Sequence, residues 1–267
     1  MENKLLFHQI KQKKSFLSVG LDTDIAKIPT HLRAAPDPIF EFNRQIIDAT
    51  LPYAVAYKIN TAFYEALGAK GWDTMHKTLQ YIPKEIFTIA DAKRGDIGNT
   101  AEMYAKALFE TLDFDAVTLS PYMGKDTIMP FLKYQNKYAI ILALTSNQGS
   151  EDFEQQKLAS GKYLYEQVIA SSSQWGTPHN TMYVVGATKA TLLADIRKLI
   201  PNHFLLIPGV GAQGGSLSEV AQYGLNPTCG LLVNSSRAII YASSAQDFAA
   251  KAAHEAQSIQ IQMAQWL

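Results

Sequence analysis

The chain has 267 residues, 47% of them apolar and 18% charged, with 24 basic residues balancing 24 acidic ones. This composition supplies a large core, and the zero formal net charge removes any global pull toward nucleic acid or an anionic membrane. The single cysteine, Cys229, excludes a disulfide within the chain, and no window approaches the ~20 apolar residues of a membrane span.

The opening stretch, MENKLLFHQIKQKKSF, has a short amphipathic pattern that predicts a helix at about residues 3–13. It has no apolar core of signal-peptide length, so a cytoplasmic protein is expected. FLSVGLD (Phe16–Asp22) then reads as a buried strand. In PIFEFNRQIIDATL, Ile39, Phe42, Ile46 and Ile47 share one helical stripe, and Pro38 suits the first turn. Two further strands are AVAYKIN (Ala54–Asn60) and IFTIAD (Ile86–Asp91). NTAEMYAKALFETL predicts a helix capped by Asn99 or Thr100, with Glu102 close behind. Strands follow at Ala116–Ser120 and Tyr138–Ser146, and then a helix is expected over Gln155–Gln174. The remaining strands are Thr181–Thr188, Phe204–Val210 and Gly230–Ser236. Helical patterns fill the intervals in KATLLADIRKLI and in SLSEVAQYG, where Ser216 is the expected cap and Gly224 the stop. A final helix is expected from Ser244 to Gln265.

Most of these strands are apolar on both alternating faces, the pattern of parallel strands covered on both sides. Eight strand–helix units in this length predict an α/β fold, a (β/α)8 TIM barrel, as a single domain over 1–267. Chemistry in such barrels sits at the C-terminal strand ends. Here those ends carry Asp22, Lys58, Asn60, Asp91, Lys93, Asp96, Thr145 and Ser146. The polar stretch Thr145–Gln156 after the fifth strand is the expected lid.

Two half-sites emerge. PGVGAQGG (Pro208–Gly215), with Gln213 and Gly214, precedes a helix start, and Arg237 lies just past the eighth strand. Glycines admit an oxyanion to backbone N–H groups, and Arg237 can add a charged contact, so this half predicts phosphate binding. The other half is Lys58 with Asp91 and Lys93. The latter two lie two apart, which on an extended chain places them on one face. Cys229 reads as a small residue near a strand start, and Trp72, Trp175 and Trp266 as packing residues. The six histidines show no metal-ligand spacing, so no metal site is predicted.

DAKRGDIGNT (Asp91–Thr100) together with PGVGAQGG resembles the orotidine 5′-phosphate decarboxylase family, specifically the bacterial type 2 branch with D-A-K-R-G-D-I-G-x-T on the third strand. The resemblance runs from Asp22 to Arg237. It implies a cofactor-independent decarboxylase that forms UMP and CO2. It also implies an alternating charged array of Lys58, Asp91, Lys93 and Asp96, with Lys93 as proton donor. It assigns the ribose to Asp22, the pyrimidine to Ser146, and the phosphate to Gln213, Gly214 and Arg237. A homodimer is implied, in which Asp96 and Thr100 serve the partner's site. Two positions depart from the family pattern: Gln148 replaces a proline and Ser120 an asparagine. A sugar-phosphate decarboxylase of the hexulose-phosphate synthase type is a rival, but it needs an acidic Mg2+ ligand where this chain has Lys58. A phosphate-metabolite sensor on the same scaffold is the other rival, and it would be expected to have lost part of the array.

Overall fold

The computed structural model describes residues 3–210 and 215–267. In chain order, α1 (Asn3–Lys13) leads to β1 (Leu17–Gly20), α2 (Pro38–Thr50), β2 (Ala54–Asn60), α3 (Ala62–Glu65), α4 (Ala69–Tyr81) and β3 (Phe87–Arg94). Then come α5 (Gly98–Lys106), β4 (Ala116–Leu119), α6 (Lys125–Leu132), β5 (Tyr138–Leu144), α7 (Leu164–Ser172), β6 (Thr181–Val185) and α8 (Leu193–Leu199). β7 (Phe204–Pro208), α9 (Leu217–Gly224), β8 (Leu231–Ser235), α10 (Arg237–Ile240) and α11 (Phe248–Ala264) complete the order. The strands close in chain order, β1 to β8, as a barrel. The expected (β/α)8 architecture is the observed one.

Contacts divide the chain into two compact units, Lys93–Val233 and Lys4–Ala92 with Asn234–Leu267. In the latter, the predicted stripe of α2 is buried: Ile39, Phe42, Ile46 and Ile47 all lie in the core. Each such side chain contributes about 1.5–3 kcal/mol through burial. Asp37 caps α2 by accepting the Phe40 N–H, ahead of Pro38 at the first helical position. Phe42 stacks on Phe248 of α11 with ring centroids 5.2 Å apart.

In the other unit, β4 through β7 pair in parallel register. Arg197 on α8 gathers four backbone carbonyls. Its Nε donates to Gly224 (2.6 Å), Nη1 to His203 (2.6 Å) and Ile200 (3.3 Å), and Nη2 to Gly230 (2.7 Å). The Gly230 carbonyl also accepts the Leu205 N–H (2.8 Å), and one guanidinium fork thus stitches α8, α9 and the approaches to β7 and β8. Burial lowers the Arg197 pKa to about 10, which leaves it charged at neutral pH.

Several local expectations are corrected. The chain over Gln155–Gln174 is helical only from Leu164 to Ser172. Before that it makes a tight antiparallel excursion, with Lys157 bridged to Tyr163 and Gly161 at φ 81°. Helix α5 begins at Gly98, so Asn99 and Thr100 sit inside its first turn and Ile97 occupies the cap position without a side-chain bond. Lys189–Leu192 belongs to a separate short 3-10 turn before α8. Gly224 is the last residue of α9, and the helix ends through Leu225 in extended backbone, not through a left-handed glycine. The cap at Ser216 is observed, accepting the Glu219 N–H. Helix α11 starts only at Phe248. Trp72 and Trp266 are substantially exposed and do not pack in the core. Cys229 is buried just before β8 with φ 68°.

Candidate active site

The site is built on a rung of the sheet. Register pairs Gly20 of β1 with Lys58 of β2, and Lys58 with Ile89 of β3. Asp22 and Asp91 each lie two residues beyond these partners, on the same faces. Two residues of strand advance roughly 6.6 Å, about the reach of a lysine stem. Lys58 therefore delivers its ammonium to both carboxylates at once: Nζ lies 3.1 Å from Asp22 Oδ1 and 3.0 Å from Asp91 Oδ2. The lysine side chain is only 5% exposed, and the aspartates 18% and 11%. Burial alone would lower the lysine pKa, but Asp91 and Asp22 outweigh it and hold the pKa above the usual value. Lys58 is thus a fixed cation shared by two carboxylates.

Asp22 has a stiff mount. The Leu21 N–H donates to the Lys58 carbonyl (2.8 Å), and the Leu21 carbonyl accepts the Tyr64 hydroxyl (3.0 Å). Tyr241 donates its hydroxyl to the Asp22 carbonyl (3.2 Å) and accepts the Asp24 N–H (2.7 Å). Burial pushes the Tyr241 pKa up to about 12, so it stays a donor. Gly20 is required one step earlier: a Cβ there would run into Ser236 Oγ. Apolar strand residues thus set the height of the aspartate, and buried hydroxyls fix its turn.

Lys93 follows Asp91 on the same strand, but its backbone has φ 48°. The extended geometry behind the same-face expectation therefore ends at Ala92. A left-handed lysine costs of order 1–3 kcal/mol and persists only when its surroundings hold it. Here the Lys93 N–H donates to the buried Thr118 Oγ1 of β4 (2.9 Å), and the Arg94 carbonyl accepts the Ser120 N–H (2.8 Å). The Ser120 departure leaves that backbone bond in place. Past the strand, Asp96 Oδ1 accepts the Ile97 N–H (2.8 Å), and Thr100 is exposed on α5. The arrangement presents Asp96, Ile97 and Thr100 as one projecting segment, with Ile97 and Met103 more than half exposed.

Ser146 stands just past β5. Its Oγ is buried and has no hydrogen-bond partner among the described residues. Across from it, a Cβ on Gly186 would run into Ser146 Oγ and the Ser146 backbone nitrogen. Sequence reasoning missed Glu154, whose carboxylate accepts the Thr145 N–H (2.7 Å) beside Ser146. No local motif announces a pairing that spans nine residues of irregular chain. Gln148 is the first residue of a 3-10 turn, Gln148–Glu151, where the N–H is an orphan in any case and proline or glutamine fits. Arg237 is exposed at the start of α10. Gln213 and Gly214 lie outside the described residues. Of the predicted residues, then, Asp22, Lys58 and Asp91 are in direct contact, while Lys93 and Asp96 follow along the same segment. Among the described residues no group of three or more His, Cys, Asp and Glu is gathered as a metal site, and no helix is long and apolar enough to cross a membrane.

Comparison with known proteins agrees with the geometry. Residues 15–253 match the model of the orotidine 5′-phosphate decarboxylase / HUMPS family. An orotidine 5′-phosphate decarboxylase of Phocaeicola vulgatus is 58% identical over 266 residues, covering 98% of each chain. The structure of Leishmania donovani OMP decarboxylase superimposes with a TM-score of 0.82 at 36% identity, over 98% of this chain and 99% of that one. That of Leishmania donovani UMP synthase gives 0.83 at 38% identity, over 96% of this chain; this chain spans 56% of the length of that longer protein. With a family match across most of its length and a charged strand-end rung of this kind, the chain belongs to the orotidine 5′-phosphate decarboxylase / HUMPS family.

Proposed function

We propose that the protein is an orotidine 5′-phosphate decarboxylase, converting the nucleotide to UMP and CO2 in pyrimidine biosynthesis in the cytoplasm. The observation that carries this reading within the family is Lys58 locked between Asp22 and Asp91. A sugar-phosphate decarboxylase of this fold needs an acidic metal ligand at that position, and a buried ammonium would repel the cation. In the reaction the C6–carboxylate bond breaks heterolytically, CO2 leaves, and the electron pair remains on C6. The Lys93 ammonium stabilises that charge, then transfers a proton to C6 and is reprotonated from water. Asp91 stands beside the departing carboxylate, and Lys58 holds Asp91 in place.

Asp22 binds the ribose, Ser146 the pyrimidine, and Gln213, Gly214 and Arg237 the phosphate. Phosphate binding energy can drive closure over the reacting carbon, so those contacts act on kcat as well as KM. The working form is a homodimer in which Asp96 and Thr100 reach the partner's site. The exposed Ile97 and Met103 flanking them supply the apolar area such a contact would bury. The test is Lys93→Ala: turnover of orotidine 5′-phosphate should vanish while UMP still binds, with equal wild-type rates in the presence and absence of EDTA. Substantial turnover by Lys93→Ala would remove it as proton donor, and loss of wild-type activity in EDTA would favour the metal-dependent rival.

A further inference from the structure

The segment after β5 contains a tether that the proposed chemistry does not use. Thr145 offers two donors, and both meet one side chain. Its N–H donates to Glu154 Oε2 at 2.7 Å, and its Oγ1 lies 3.0 Å from both carboxylate oxygens. The same hydroxyl also lies 2.6 Å from Asn147 Oδ1, so its single proton is shared within this pocket of acceptors. A carboxylate accepting a backbone N–H makes a charge-assisted bond, roughly twice as strong as a neutral one.

Glu154 is itself anchored. Its carbonyl accepts the Tyr165 N–H at 2.9 Å in the first turn of α7, and the Gln156 carbonyl accepts the Leu164 N–H at 2.9 Å. The next side chain is held as well: Gln155 donates to Ser150 Oγ at 2.8 Å and accepts from Lys189 Nζ at 3.5 Å. Glu154 also borders a mostly apolar cavity of about 490 Å3, lined among others by Phe153, Leu164 and Tyr165.

What the tether fixes is the residue after Thr145. On the other side Ser146 lies so close to Gly186 that a Cβ there would meet its Oγ, and the Gly186 N–H donates to the Leu144 carbonyl at 2.8 Å. Between these two constraints the Ser146 hydroxyl is buried and has no partner among the described residues. A buried hydroxyl left without a bond costs free energy unless a ligand supplies the partner. We propose that Glu154 is a positioning residue for the reaction: by gripping Thr145 it holds the Ser146 hydroxyl at the height and angle that a pyrimidine ring needs. The inference rests on the assignment of Ser146 to the pyrimidine, and it deepens that assignment by naming the group that aims it.

The test uses the full-length enzyme with Ser146→Ala, Glu154→Ala, Glu154→Gln and Thr145→Val. The last loses only the hydroxyl at nearly constant volume, so it remains informative if Glu154→Ala folds poorly. Steady-state kinetics on orotidine 5′-phosphate are combined with calorimetric binding of UMP and of ribose 5-phosphate, which lacks the base. Glu154→Ala is expected to lower kcat/KM at least tenfold and to weaken UMP binding similarly, with ribose 5-phosphate binding within twofold of wild type. Glu154→Gln, whose amide oxygen still accepts the Thr145 N–H, should recover part of the loss, and Thr145→Val should fall between. An impaired Ser146→Ala beside an unimpaired Glu154→Ala and Thr145→Val would overturn the positioning role and leave the Ser146 assignment standing. Equal weakening of UMP and ribose 5-phosphate would also overturn it, as a general structural effect. An unimpaired Ser146→Ala would remove the assignment and this inference with it.

Discussion

Replacing Lys58 by methionine keeps the stem and removes the charge. The ammonium touches Asp22 at 3.1 Å and Asp91 at 3.0 Å. With charge centres about 4 Å apart and an effective dielectric of about 20, each attraction amounts to about 4 kcal/mol. Desolvation of the three buried groups offsets most of this, so the net worth of the cluster is small. Removing one partner is a different perturbation, because two carboxylates then lose the ammonium they share. Broken buried pairs of this type cost about 3–5 kcal/mol. For a chain of this size that corresponds to a melting temperature lower by about 6–20 °C at pH 7.5, measured by calorimetry or circular dichroism. The kcat/KM for orotidine 5′-phosphate should fall by orders of magnitude. A Lys58→Met protein that melts within about 1 °C of wild type at pH 7.5 would refute the argument.

His203 gives a handle on pH. It is 6% exposed, neither ring nitrogen has a partner among the described residues, and burial followed by the nearby Arg197 charge lowers its pKa to about 4. The folded state therefore favours neutral histidine, and stability that is intact above pH 6.5 is lost as the pH falls toward 4, by about 2 kcal/mol at pH 5. Urea midpoints at pH 7.5 and 5 should show this drop, reduced in His203→Leu. Gly20→Ala should cost about 1–3 kcal/mol in urea denaturation, because the new methyl group overlaps Ser236 Oγ. Mixing inactive Lys93→Ala with inactive Asp96→Asn subunits should restore measurable turnover, since one site in each mixed dimer would be whole; no recovery would count against a shared site.

The barrel was legible because parallel strands covered on both faces leave continuous apolar runs, such as Ala54–Tyr57 and Tyr138–Leu144. The helix expected from Gln155 failed for the opposite reason. Its residues tolerate a helix, but Glu154 and Gln155 bond to Thr145 and Ser150, and those long-range bonds override weak local preference. The nearness of Lys58 and Asp91 followed from strand-end positions, whereas the Lys58–Asp22 contact did not, since the resemblance assigned Asp22 only to the ribose. The left-handed backbone at Lys93 did not, because only glycine advertises that conformation in a sequence. Glu154 escaped notice because nothing within a few residues of it marks its partner.

The rung geometry of Lys58 also bears on how the barrel closes. Strand register can slip only in whole residues, and a slip of one turns every side chain to the other face. Shifting β2 by one place against β1 and β3 would carry the ammonium to the other face and take it from both Asp22 and Asp91. The apolar neighbours on these strands, Ala54, Val55, Ala56 and Ile59, are small or alike enough to tolerate such an exchange. The three charges are not, so the cluster discriminates between correct and misaligned closure during folding, before any substrate is present.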